Sequence, residues 1–128
     1  MGSRPWVVAV IPAPLLLRAR RFVVNLRQLP YDVYIGRGSG IWGNDWSHLP
    51  STLARYRVGS REEAIRKHME WFLSNEAMIE RARRELRRKV LGCHCAPLSC
   101  HGFTLAAVAN ASERDLRKIL RAARGTSR

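Results

Sequence analysis

Hydrophobic positions recur at helical spacing in the middle of the chain. Ala64, Ile65, His68, Trp71 and Phe72 share one side of a 3.6-residue repeat, and Ser60 with Glu63 forms a capping box. A helix is therefore predicted from near Arg61 to near Ser74. A second, from about 76 to 88, turns Met78, Ile79, Ala82 and Leu86 inward and Arg81, Arg84 and Arg88 outward. Residues 100–110 are apolar nearly all round, as in a largely buried helix, with Leu105, Ala106, Val108 and Ala109 in the core. Ser112 and Asp115 then cap a last, basic helix.

Three stretches follow strand patterns instead. Residues 31–35 are rich in β-branched and aromatic side chains, 89–93 resemble a buried strand, and 23–26 are a further candidate. Strands separated by helices pair in parallel. The predicted fold is thus α/β: a small single domain with a short, mainly parallel sheet flanked by helices, carrying basic N- and C-terminal extensions. The expected divisions are an extension at 1–30, the α/β domain at 31–110 and a basic helix at 111–128. No internal repeat or low-complexity stretch is visible.

Composition adds a partner to this picture. A chain of 128 residues with 46% apolar side chains builds one core, packed by Trp42, Trp46, Trp71 and Phe103. The formal charge of +13 therefore belongs to a folded body. Neutralising phosphates with arginine releases counterions, so the expected partner is a polyanion, nucleic acid first and an anionic membrane surface second.

The charge is uneven. Before Asp32 the chain holds Arg4, Arg18, Arg20, Arg21 and Arg27 and no acid, a pattern similar to an organelle-targeting segment, mitochondrial first and plastid second. Pro12 and Pro14 break any long amphipathic helix there. The apolar run at 6–17 is too short for the roughly 20 residues of a membrane span, so no transmembrane segment is expected.

Two segments carry candidate chemistry. Residues 36–50 form a glycine-rich loop, without the spacing of a nucleotide-binding fingerprint. The three cysteines fall within Cys93-His94-Cys95-Ala96-Pro97-Leu98-Ser99-Cys100-His101. Cys93, Cys95, Cys100 and His101 make a donor set that suits structural zinc, although a one-residue gap between cysteines is tight for it. Unliganded buried thiols are a second reading. A third makes Cys100 a reactive thiolate at a helix N-terminus, assisted by His101.

Tyr34-Ile35-Gly36-Arg37, then Trp42-Gly43-Asn44, and later Leu91-Gly92-Cys93-His94-Cys95-Ala96-Pro97-Leu98-Ser99-Cys100-His101-Gly102 resemble the two signature blocks of the domain of unknown function 4326 family, known mainly from phages and bacteria. The resemblance covers about 23–110, with Arg61, Ala64 and Ile65 fitting between the blocks. It implies that the 36–44 loop and the 93–101 segment face one another across a pocket holding Tyr34, Gly36, Arg37, Gly43 and Asn44. The chain departs from the family pattern at Asp45-Trp46, where Pro-Phe is usual, and at His94, where an aromatic is usual.

The leading expectation is an accessory, non-catalytic RNA-binding subunit of an organellar ribonucleoprotein, the mitochondrial ribosome first, with rRNA and neighbouring proteins of that assembly as partners. Arg18, Arg20, Arg21 and Arg27 would follow phosphates, and Arg83, Arg84, Arg87 and Arg88, with Arg117, Lys118, Arg121 and Arg124, would form surface patches. One alternative is an enzyme acting on a nucleotide or nucleic acid, with Arg37 and Asn44 binding substrate. Its nucleophile would be Cys100, or zinc would act as Lewis acid. Another is a basic accessory subunit of an inner-membrane complex.

Overall fold

The computed structural model describes residues 10–49, 54–96 and 100–126. Its centre is a three-stranded parallel sheet in the order β1-β5-β2, with β1 at Val23–Asn25, β2 at Val33–Tyr34 and β5 at Leu91–Cys93. Val23 and Val33 both pair with Leu91, and Val24 and Tyr34 both pair with Gly92. The middle strand is buried along its whole length. A two-stranded parallel pair, β3 at Trp46–Ser47 and β4 at Tyr56–Arg57, stands beside it. The fold is α/β, as the alternation of strands and helices implied.

Residues 26–32 return the chain past β5, from one edge of the sheet to the other. That return lays the Tyr31 ring on Gly92, where an added Cβ would sit 2.6 Å from Tyr31 Cγ. Tyr31, expected to open the strand, is therefore exposed, and pairing starts only at Val33. Asp32 fixes the register, its Oδ2 accepting from the Val90 amide at 2.7 Å.

Among the described residues five helices cover the sheets: α1 at Ala13–Ala19, α2 at Arg61–Leu73, α3 at Glu76–Glu85, α4 at His101–Asn110 and α5 at Glu113–Thr126. α4 is the hub, packing on α1, α2, α3 and β5. Its Leu105, Ala106, Val108 and Ala109 are at most 1% exposed. Burying a side chain such as Leu105 contributes about 2 kcal/mol. Ile119 of α5 is fully buried, so the basic C-terminal helix is anchored in the core.

Two expectations change in physical detail. Residues 10–30, expected as an extension, contribute Val10, Ile11, Ala19 and Val23 to the core. Pro12 and Pro14 initiate α1, because proline lacks only amides that the first turn leaves unpaired. Residues 1–9, including Arg4 and the start of the apolar run, lie outside the described residues. The second helix stops at Glu85 rather than 88, with Leu86 as its cap and Arg88 in the left-handed region at φ 60°. No helix among the described residues is long and apolar enough to cross a membrane.

Candidate functional site

The loop after β2, the start of α2 and the turn between β5 and α4 close around one cleft of about 150 Å³. Gly36, Arg37 and Asn44 line it from the loop, Arg61 and Ile65 from α2, and Cys93, His94, Cys95, Cys100 and His101 from the third side. The two segments singled out by their motifs thus meet, although 97–99 lie outside the described residues. No carboxylate lines the cleft among the described residues.

Each wall has a local cause. The expected capping box forms, with Ser60 Oγ accepting from the Glu63 amide at 3.1 Å and Glu63 Oε1 accepting from the Gly59 amide at 2.8 Å. This starts α2 where Arg61 enters the cleft wall. Arg37 donates Nε to the Asn44 carbonyl at 2.7 Å and Nη2 to the Trp46 carbonyl at 3.1 Å, so its charge is held in a fixed place. Gly43 allows this tight loop: a Cβ there would meet Arg37 Cα at 2.5 Å.

Asn44 is buried and internally committed. Its Nδ2 donates to the Ala64 carbonyl at 3.0 Å and its Oδ1 accepts from the Trp46 amide at 2.9 Å. It ties the loop to α2 rather than reaching a ligand. Tyr34 is also not a lining residue: its ring lies over Gly36, and its hydroxyl is 3.3 Å from His94 Nε2.

The sulfurs of Cys93 and Cys100 stand 3.5 Å apart, and all three cysteines are free thiols. Cys100 is the N-cap of α4, accepting from the Gly102 amide at 3.3 Å, while Cys93 accepts from the Ala96 amide at 3.4 Å. The hydrogen bond from Cys100 holds the Cys93 thiol down, to about 6, against the opposing effect of burial. Cys100 keeps its proton well above the usual thiol range, because that proton bonds Cys93 and because the site is buried. Cys93 is thus the sulfur that ionises first. Cys100 does sit at the N-terminus of α4 as expected, and its sulfur meets Cys93 as well as the Gly102 amide.

His101 is turned inward. Its Nε2 donates to the Ile35 carbonyl at 2.7 Å, which takes that nitrogen from the expected zinc-ligand set. Burial lowers its pKa to about 4, with the Arg37 charge adding to the shift. His68, expected at the core edge, is buried against it with ring centroids 5.0 Å apart. Among the described residues no group of three or more histidine, cysteine or acidic side chains is placed to hold a metal ion.

A family model described as "Domain of unknown function (DUF4326)" matches residues 20–111. The chain belongs to the DUF4326 family. The match contains every residue that lines the cleft and ends before α5. The chain is also 35% identical over 96 residues to the "Uncharacterized 12.4 kDa protein in nrdA-td intergenic region" of Enterobacteria phage T4, covering 73% of this chain and 81% of that protein. No solved structure matches the chain.

Outside the DUF4326 cleft, Arg18, Arg20, Arg21, Arg27, Arg84, Arg87, Arg88, Arg117, Lys118, Arg121 and Arg124 are exposed. Arg83 is the exception among the expected phosphate contacts. Its side chain is 13% exposed, and it donates Nη1 to the carbonyls of Val108 and Ala111, each at 2.8 Å. It caps α4 instead of presenting its charge. Lining residues not expected from the sequence are Arg61, Ala64 and Ile65 of α2, His94 between the first two cysteines, and Trp46, Ser47, His48 and Leu49, the last four brought to the cleft by the small β3-β4 pair. No motif marked that pairing.

Proposed function

We propose that this protein binds nucleic acid, RNA first, and that the cleft receives one phosphate-bearing group of the strand. The observation that carries the reading is the placement of Arg37 and Arg61 on one cleft that has no acidic lining residue among those described. Drug-sized ligand pockets run to roughly 300–1,000 Å³. A cleft of about 150 Å³ suits a phosphate and its sugar better than a whole enclosed nucleotide. A wider depression of about 410 Å³ shares Arg37 and adds Arg55, Arg81, Trp71 and one carboxylate, Asp45, so its lining is net basic and partly aromatic and gives a strand a path away from the cleft.

The exposed cations of α5 add affinity without sequence preference in this reading. The cleft lies within the family match and α5 beyond it, so recognition belongs to the domain and the basic helix strengthens it. An organellar ribonucleoprotein such as the mitochondrial ribosome is one host compatible with this reading.

The test is fluorescence anisotropy of single-stranded RNA across a salt series. Binding should weaken with salt, Arg61→Gln should lower affinity about tenfold at fixed salt, and Arg117→Gln with Arg121→Gln should reduce the salt slope by about 2. Absence of RNA binding at low salt overturns the proposal. The enzyme reading keeps one observation in its favour, that Cys93, Cys95 and Cys100 line the same cleft as the two arginines. Turnover of a nucleotide or nucleic acid that stops on alkylating the thiols would establish it.

A further inference from the structure

Phosphate binding leaves the buried sulfur pair without a task. Cys93 ends β5 and Cys100 begins α4, and the packing of strand against helix brings their sulfurs to 3.5 Å. Both residues are at most 4% exposed, yet both line the cleft, so a small molecule in it reaches them and a large one does not. A disulfide requires the sulfurs to close to about 2.05 Å, a distance that small side-chain torsions can supply when the partners already touch. Each sulfur also accepts a backbone amide, from Ala96 and from Gly102.

We infer that Cys93 and Cys100 are a redox-active dithiol that reduces a small hydroperoxide entering the cleft and closes to a disulfide. This inference is independent of whether the cleft also takes a phosphate. In the first step the ionised sulfur of one cysteine attacks the terminal peroxide oxygen. A sulfur–oxygen bond forms and the oxygen–oxygen bond breaks. The departing alkoxide, or hydroxide from hydrogen peroxide, takes up the proton that the cysteine had released. The sulfur is oxidised by two electrons to a sulfenic acid, and the peroxide is reduced to an alcohol or water.

In the second step the other cysteine attacks that sulfur. The sulfur–sulfur bond forms, the sulfur–oxygen bond breaks, and hydroxide leaves with the second thiol's proton as water. The sum is two thiols and one hydroperoxide giving one disulfide, one alcohol or water, and one further water. An external dithiol restores the pair by exchange. Arg37 and Arg61 line the same cleft as the two sulfurs, so their positive charge favours the negative charge that develops on the departing oxygen.

The experiment treats the full chain with one equivalent of hydrogen peroxide, alkylates the remaining thiols and maps the peptides by mass spectrometry. The expected result is a Cys93–Cys100 disulfide with Cys95 alkylated, reversed by dithiothreitol. With dithiothreitol in excess, peroxide should be consumed at least about tenfold faster than by Cys93→Ser. Cys100→Ser should stop at a sulfenic acid on Cys93 that dimedone traps. Should either variant fail to fold, the peptide map of the unaltered chain still decides. Oxidation confined to Cys95, no disulfide at several equivalents of peroxide, or stoichiometric zinc that shields the thiols would each overturn the inference.

Discussion

Arg37 donates its Nε to the carbonyl oxygen of Asn44 at 2.7 Å, and this contact joins the shape of the glycine-rich loop to the charge of the cleft. Asn44 in turn holds the loop to α2 through the Ala64 carbonyl. A guanidinium can make the two planar donations to Asn44 and Trp46, whereas an ammonium cannot reproduce their fork. The position therefore needs arginine for geometry as well as charge.

Arg37→Lys tests this directly. It retains the charge but loses the fixed orientation, so affinity for single-stranded RNA should fall about tenfold, equivalent to about 1.4 kcal/mol. Urea unfolding should show a loss of about 1–2 kcal/mol from the two lost hydrogen bonds. Unchanged RNA affinity would remove Arg37 from the proposed binding site.

The inward position of Arg83 makes a second expectation. Replacing it with methionine keeps most of its packing but uncaps α4, leaving the Val108 and Ala111 carbonyls without that donor. The expected cost is about 2–3 kcal/mol in urea unfolding. Glu113, whose side chain is 75% exposed, should matter far less. Glu113→Gln is expected to cost under about 0.5 kcal/mol, as for a surface pair. Equal effects of the two substitutions would contradict the capping role.

Arg88 occupies the left-handed region at the end of α3, with its amide donating to Asn110 Oδ1 at 2.8 Å. Arg88→Gly keeps that amide and relieves the side-chain penalty. Stability should rise by about 0.5–1 kcal/mol, seen as a melting temperature a few degrees higher. A lower melting temperature would mean that the arginine side chain contributes more than its conformation costs.

His68 and His101 give the fold an acid limit. Burial lowers the His68 pKa well below its ordinary value and the His101 pKa to about 4, and His68 Nδ1 has no hydrogen-bond partner among the described residues. Unfolded histidine takes up its proton near 6.5. Below that pH the unfolded chain gains protons that the native state refuses, so this stability is complete above 6.5 and is lost as pH falls toward 4. His101 alone accounts for about 3 kcal/mol across that interval. Urea unfolding at pH 7 and pH 5 should show the loss, and His68→Leu should roughly halve its pH dependence. Equal stability of the unaltered chain at the two pH values would contradict the buried, neutral pair.

Local pattern carried much of this protein. The Ser60–Glu63 capping box located the start of α2, the apolar run after Cys100 foretold the burial of α4, and the valines at 23, 24 and 33 marked strands. The cysteine spacing and the glycine-rich loop identified the segments that meet at the cleft. These features were legible because capping, periodicity and strand preference act between residues close together in the chain.

What joined distant segments was settled only in three dimensions. Nothing local foretold the parallel pairing of Trp46 with Tyr56, which adds residues 46–49 to the cleft, or the use of 10–30 as core. Arg83 looked like any arginine on a basic helix until α4 ended beside it, where the carbonyls of Val108 and Ala111 accept its guanidinium. The cysteines show the same: helix position singled out Cys100, and only the packing of strand end against helix start put the Cys93 sulfur 3.5 Å from it. Sequence fixes which groups are available, while packing decides which of them lose water and which acquire a partner.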